Sequence, residues 1–367
     1  MANNPQQSTS TEDQQDVPVI DMKLYFEKGE GWEAECKKVS DSLHKFGILI
    51  VRDPRVNHEH NSTFIDMVEQ YFEKVGNAYY AGEELVDARP ELSYQTGVTP
   101  ASKERARNHK KIVEAIDEDN KPMSPFPPEL DAKWRFFWPI GERPAELKDE
   151  LPCVIPEGFP DWERNMNTWG NFLVDAAYGA SEMAAVGMGL DSNTFTERMR
   201  QGPHLLAPTA SDLEKHDVGT PLAGFHYDLN WLTIHGKSRF PGLYVWLRNW
   251  KKLTVKIPDG CLIMQAGIMF EHLTGGYVLA GYHEVMYTEA TKAAKLRVMK
   301  EMEETGNKRI LWRISSTLFS HLRYNVDLTP LKEMSHLIDQ EQAKKYGNCT
   351  AWDKLCEELQ AIELAPK

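Results

Sequence analysis

Gly242-Leu243-Tyr244-Val245-Trp246-Leu247, Leu253-Thr254-Val255-Lys256-Ile257 and Cys261-Leu262-Ile263-Met264-Gln265 follow one another with only a few residues between them. Each run is short, rich in β-branched and aromatic residues, and bounded by Gly, Pro, Asn or Asp, which is the pattern of strands separated by turns. Tyr277–Gly281 and Ile310–Phe319 continue the series downstream. Several short strands at this spacing predict a sandwich or barrel of the jelly-roll kind from about Gly202 onward.

Working outward from that core, the pattern becomes helical. Trp32, Cys36, Val39, Leu43 and Phe46 recur at helical spacing before Gly47, and Phe64, Met67, Val68, Tyr71, Phe72, Val75 and Tyr79 share one face of a second helix. Trp162, Met166, Trp169, Phe172, Leu173 and Ala176 predict a third, with Asp161 placed to cap it. Val17–Asp21 reads as an edge strand and Ile48–Val51 as a buried one. Glu83–Pro160, with prolines at 122, 125, 127, 128, 139 and 144, reads as a long irregular connection carrying short helices. The Ala/Lys/Glu/Met-rich stretch 287–308 predicts an inserted helix, and Trp352, Leu355, Leu359 and Ile362 a C-terminal one. The expected class is α+β: residues 1–16 a disordered tail, 17–200 a helical scaffold with edge strands, 201–330 a double-stranded β-helix core, and 331–367 a helical segment.

Composition narrows the function. The 42 basic and 55 acidic residues give a net charge of −13, unsuited to neutralising nucleic-acid phosphates or an anionic membrane. No apolar run reaches a membrane span, and the polar N-terminus lacks the plan of a secretory signal. Five cysteines without a C-x-x-C pair signal neither a disulfide framework nor a zinc site, and suit a reducing, cytoplasmic compartment. The partner expected is a small molecule. Asn61 and Asn348 open N-x-[ST] triplets that read as chance matches.

Gly224-Phe225-His226-Tyr227-Asp228 begins the β-rich half, and on an extended strand His226 and Asp228 point to one side and can converge on an ion. His283 lies 55 positions beyond Asp228 (283 − 228 = 55) with strand-like sequence between. Two histidines and one carboxylate on a face suit Fe(II), leaving positions for a bidentate cosubstrate and O2. Farther on, Arg313 and Ser315 alternate on one face of a strand, where a guanidinium fork and a hydroxyl suit the distal carboxylate of a keto acid. His58 and His60 read as a solvated loop, His272 and His321 as structural.

With these residues in view, the sequence resembles the iron(II)- and 2-oxoglutarate-dependent oxygenases of the isopenicillin N synthase-like, plant-type group over nearly its whole length. Val17-Pro18-Val19-Ile20-Asp21, Phe46-Gly47-Ile48-Leu49-Ile50-Val51, Gly267–Gly276 running on to His283-Glu284-Val285, and Arg313-Ile314-Ser315 carry the resemblance. It implies Fe(II) held by His226, Asp228 and His283, which would form the catalytic centre. It also implies 2-oxoglutarate bound by Arg313 and Ser315, and hydroxylation, desaturation or cyclisation of a small molecule with release of succinate and CO2. Tyr94, Trp231 and Phe270 would border the substrate by the same likeness.

Four departures stand out. His204-Leu205-Leu206-Ala207-Pro208 occupies the place of a cosubstrate-binding tyrosine, Ile268 that of an aspartate, and Glu284 that of an arginine. Arg313 also lies farther from the distal histidine than in relatives (313 − 283 = 30). The alternatives are an Fe(II) oxidase that needs no keto acid, a zinc hydrolytic site, and a binding module of the same fold without turnover.

Overall fold

The computed structural model describes residues 17–56, 58–143 and 151–361. The tail read over 1–16 and Ile362 lie outside them. Val19–Asp21 (β1) pairs in parallel with Ile48–Arg52 (β2), and the helices Met22–Glu27 (α1) and Trp32–Phe46 (α2) connect them. Gly47 ends α2 at φ 69°, a left-handed conformation that glycine adopts without strain. The next helix, His58–Tyr80 (α3), begins earlier than the solvated loop expected at His58 and His60. His60 stacks on Phe172 at 4.5 Å, so the aromatic contact holds the first turn. Asn61 is buried, donating to the Lys237 carbonyl and accepting from Ser316 Oγ, which makes it structural.

The described part of 83–160 is more ordered than its prolines predict. It holds Gly97–Thr99 (β3), Lys110–Ala115 (α4) and Trp134–Pro139 (β4), and β4 lies inside the main sheet between two strands of the β-rich half. There follow Trp162–Gly187 (α5), to which Asp161 gives no side-chain cap, and Thr196–Met199 (α6).

The β-rich half supplies Leu205–Leu206 (β5), Thr209–Asp212 (β6), Pro221–His226 (β7), Leu232–His235 (β8), Leu243–Trp246 (β9), Lys252–Thr254 (β10) and Leu262–Ala266 (β11). Ile268–Leu273 (α7), Tyr282–Met286 (β12), Glu289–Thr305 (α8), Trp312–Ser315 (β13) and Thr317–Ser320 (β14) come next, then Gln340–Ala343 (α9) and Ala351–Ala361 (α10). The inserted helix read over 287–308 is α8, opened by a Thr288–Thr291 capping box and closed by Gly306.

Two readings are corrected. Tyr277–Gly281 is not a strand: Thr274 Oγ1 accepts from Val278 N and Glu271 Oε2 from Ala280 N, so side chains satisfy the donors a neighbouring strand would take. Ile310–Phe319 is two strands, divided at Ser316, whose hydroxyl turns to Asn61.

The large sheet runs β1-β2-β11-β8-β14-β5-β4-β6-β13, with β3 on β4, and the small one β10-β9-β12-β7. Strict alternation gives the large sheet two faces. Leu49, Val51, Leu232, Ile234, Leu262, Met264, Ile314 and Leu318 join a core with the helices, α5 lying over β14 and β8 and α3 over β13 and β6. The opposite residues turn inward. Ile48 and Ile263 meet Leu243 and Val245 of the small sheet, closing one end of the sandwich, while polar residues keep the other end open. Among the described residues no helix is long and apolar enough to cross a membrane, and all five cysteines are free.

Candidate metal centre and adjoining cavities

His226 ends β7 and His283 lies directly opposite it on β12, so the antiparallel register itself sets the two imidazoles side by side, their centroids 4.2 Å apart. Asp228 comes from the loop after β7 rather than from a continuing strand, and it is buried. Its carboxylate faces both rings, 3.5 Å from His226 Nε2 and 3.8 Å from His283 Nε2. Potential ligand atoms of all three residues fall within 4.8 Å of one another.

The ring nitrogens away from the cluster are engaged. His226 Nδ1 lies 2.6 Å from the Gly224 carbonyl and His283 Nδ1 3.3 Å from that of Gly281, so each Nδ1–H donates outward and leaves an Nε2 lone pair for a cation. Burial opposes the charge on Asp228, but the His283 and His226 imidazoles and the Thr233 hydroxyl, 2.6 Å from Oδ2, outweigh it. Its carboxyl stays well below the usual range. Burial, then the neighbouring His226, pulls His283 down to about 4, so the ring is neutral and a competent ligand near neutrality.

The family departures have structural uses. Gly267 packs so closely under the Asp228 loop that a Cβ would stand 2.0 Å from the Asn230 carbonyl oxygen, and the Ile268 N–H donates to the Asp228 carbonyl. Glu284, fully buried, accepts from the backbone N–H groups of Met123 and Ser124 and ties their loop to β12. His204 faces away to accept from the His321 N–H.

Two cavities meet at the cluster and share Lys133, His226, Asp228 and Phe319 in their walls. One lies between the sheets and contains Arg313 and Ser315 on β13 with Thr209 and Ser211 directly across on β6. Arg313 is 7% exposed, and its one side-chain hydrogen bond among the described residues runs from Nε to the Pro241 carbonyl. No carboxylate there pairs with it, and burial alone lowers its pKa to about 10. Ser315 Oγ is held by His235 and Thr317, while His235 Nε2 and both polar atoms of Gln265 lack partners. A buried guanidinium beside unspent polar groups is costly without a ligand.

The second cavity, the larger of the two, also borders His226 and Asp228. The inward face of β4 forms one wall and Leu355, Glu358 and Leu359 of α10 another. Tyr94, Trp231 and Phe270 do not line it. Trp231 and Phe270 are fully buried and stacked at 3.8 Å in the helix-side core, and Gln95 reaches the wall where Tyr94 does not. Lys133, Arg135 and Phe137 were missed. Their signal is present in Lys133-Trp134-Arg135-Phe136-Phe137-Trp138, where charge alternates with aromatic residues.

No family model and no curated protein matches the chain. Solved structures do. A Caulobacter crescentus protein described as of the 2OG-Fe(II) oxygenase family superposes with TM-score 0.67 at 18% identity, covering 94% of this chain and 98% of its own. A full-length Neurospora crassa protein in complex with alpha-KG gives 0.70 at 17%, covering 95% and 97%. The rice dioxygenase for auxin oxidation gives 0.60 at 16%, covering 94% and 95%. The chain thus has the double-stranded β-helix fold of the 2OG-Fe(II) oxygenases, with His226, Asp228 and His283 gathered where its two cavities meet.

Proposed function

We propose that this protein is a non-haem Fe(II)- and 2-oxoglutarate-dependent oxygenase that oxidises a small molecule in the cavity beside α10. Arg313 is the observation that carries the reading: a buried cation without an anionic partner among the described residues, facing the same cavity as the cluster. A metal-only oxidase would leave that charge for its substrate, yet the larger cavity, which also borders His226 and Asp228, does not include Arg313.

His226 Nε2, His283 Nε2 and Asp228 would hold the iron, and Arg313 with Ser315 the distal carboxylate of 2-oxoglutarate. With both groups and O2 bound, the chemistry supplied is oxidative decarboxylation to succinate and CO2 coupled to oxidation of a C–H bond. The protein's own share is positional. Gly224 and Gly281 fix the imidazoles, Thr233 steadies the Asp228 carboxylate, and Glu284 fixes the 123–124 loop. The Neurospora protein has also been crystallised with thymine, which supports a small-molecule substrate for this fold.

Arg313→Gln tests the assignment: iron affinity is retained while 2-oxoglutarate affinity falls by about a hundredfold, as expected for loss of a buried charge-assisted pair. Unchanged 2-oxoglutarate affinity would remove Arg313 from the site.

A further inference from the structure

The wall of the larger cavity pairs its charges with one another. Lys133 Nζ lies 3.3 Å from Glu104 Oε2 and 3.1 Å from Asp131 Oδ2, and Arg135 Nη2 lies 2.6 Å from Glu104 Oε1. Arg107 Nη1 donates to Glu358 Oε1 at 2.7 Å. Asp228 belongs to the metal cluster, and Arg105, the remaining cation of the wall, is exposed to solvent. An ionic substrate would meet no unengaged buried counter-charge among these residues, and burying an unpaired charge is costly.

His109, immediately before α4, borders the same cavity as a neutral polar group. Its ring packs against those of Tyr227, Tyr282 and Phe225, with centroids 5.0, 5.2 and 6.2 Å away, which fixes the plane of the imidazole. Neither ring nitrogen has a hydrogen-bond partner among the described residues, and neither is sealed from solvent. His321, the other imidazole of this cavity outside the metal cluster, differs in that its Nδ1 is sealed without a partner. Burial first, then His226 and Arg107, pull His109 down to about 4, so near neutrality it carries one N–H and one lone pair. Leu205, Phe319, Leu355 and Leu359 supply apolar surface in the same wall.

We propose that His109 is a specificity-determining residue of the larger cavity: it hydrogen-bonds a hydroxyl or other uncharged polar group on a neutral substrate whose remaining body is apolar. The inference rests on the reading that this cavity, and not the Arg313 cavity, takes the substrate. Tyr227, Tyr282 and Phe225 hold the imidazole, and the mutual pairing of the wall's charges disfavours ionic competitors.

Benzyl alcohol, toluene, benzoate and benzylammonium share one apolar ring and differ in the group attached, so their binding to the full chain by ligand-observed NMR tests this. Benzyl alcohol binds about tenfold more tightly than each of the other three, the gain of one hydrogen bond made in a largely desolvated site. His109→Phe keeps the aromatic packing and removes both nitrogens, so benzyl alcohol falls to the level of toluene while toluene is unchanged. His109→Gln, which returns a donor and an acceptor, restores part of the preference. In wild-type protein labelled with 15N-histidine, benzyl alcohol shifts the ring nitrogens of His109 and toluene does not, a signature that a packing role alone would not give. Any order in which benzyl alcohol does not lead, no binding by any probe, a preference that survives His109→Phe, or unshifted His109 nitrogens overturns the proposal. Because neither iron nor 2-oxoglutarate is added, failure here is distinct from failure of the oxygenase reading.

Discussion

Gly267→Ala should disable the metal centre without touching a ligand. A Cβ at this position would sit 2.0 Å from the Asn230 carbonyl oxygen, 2.7 Å from its carbon and 3.0 Å from the Asp228 carbonyl oxygen. Ordinary contact begins near 3.4 Å, so the backbone after Asp228 has to move by 1.4 Å (3.4 − 2.0). Overpacking of this kind costs about 1–3 kcal/mol. A ligand set tolerates only about 0.5 Å of displacement. Iron affinity should therefore fall by about tenfold to a hundredfold, together with a lower melting temperature. Gly29→Ala is the control, because its Cβ meets Leu24 Cδ2 at 3.4 Å and the Leu24 carbonyl oxygen at 4.0 Å, both ordinary contacts, and it should change neither quantity. Calorimetric titration with Mn(II), a redox-stable probe, and thermal unfolding read both effects. Wild-type affinity and stability in Gly267→Ala would refute the claim that Gly267 fixes the Asp228 loop.

Two further outcomes follow from other buried groups. Burial lowers His204 to about 4, and burial with His204 as neighbour lowers His321 to about 3, from 6.5. The unfolded chain then binds protons that the folded chain refuses. The stability these rings contribute is present above pH 6.5 and is lost as pH falls toward 4 and then 3. Melting temperature should drop across that window, and His321→Asn should flatten the slope; an unchanged slope would contradict the pairing. Glu358 on α10 accepts from the Tyr227 hydroxyl at 3.0 Å and from Arg107 Nη1 at 2.7 Å, with Lys354 Nζ 3.5 Å away. Glu358→Gln should weaken this latch by about 1–3 kcal/mol and speed amide exchange across Ala351–Ala361. Exchange as slow as in the wild type would count against it.

The sequence revealed what local periodicity and residue chemistry encode. Gly47 marked the end of α2, the Ala/Lys-rich stretch marked α8, and His-x-Asp with His283 marked the cluster that β7 and β12 assemble. Long-range pairing was not visible. β4 looked irregular because prolines surround it, although its alternating charged and aromatic residues fit an inward polar face and an outward core face. Tyr277–Gly281 has strand-like residues, but Thr274 and Glu271 had already taken its donors. Trp231 and Phe270 look like pocket aromatics from their nearness to Asp228 and Gly267 in the chain. Alternation and helix direction turn both into the opposite core.

The central claim is that one cavity holds Fe(II) against His226, Asp228 and His283 and 2-oxoglutarate against Arg313. Anaerobic addition of Fe(II) and then 2-oxoglutarate tests it most directly. The wild type should develop the visible metal-to-ligand charge-transfer band at one equivalent of each, and Asp228→Ala should lose both the iron and the band. A wild-type protein that binds iron but shows no band at saturating 2-oxoglutarate would contradict the account.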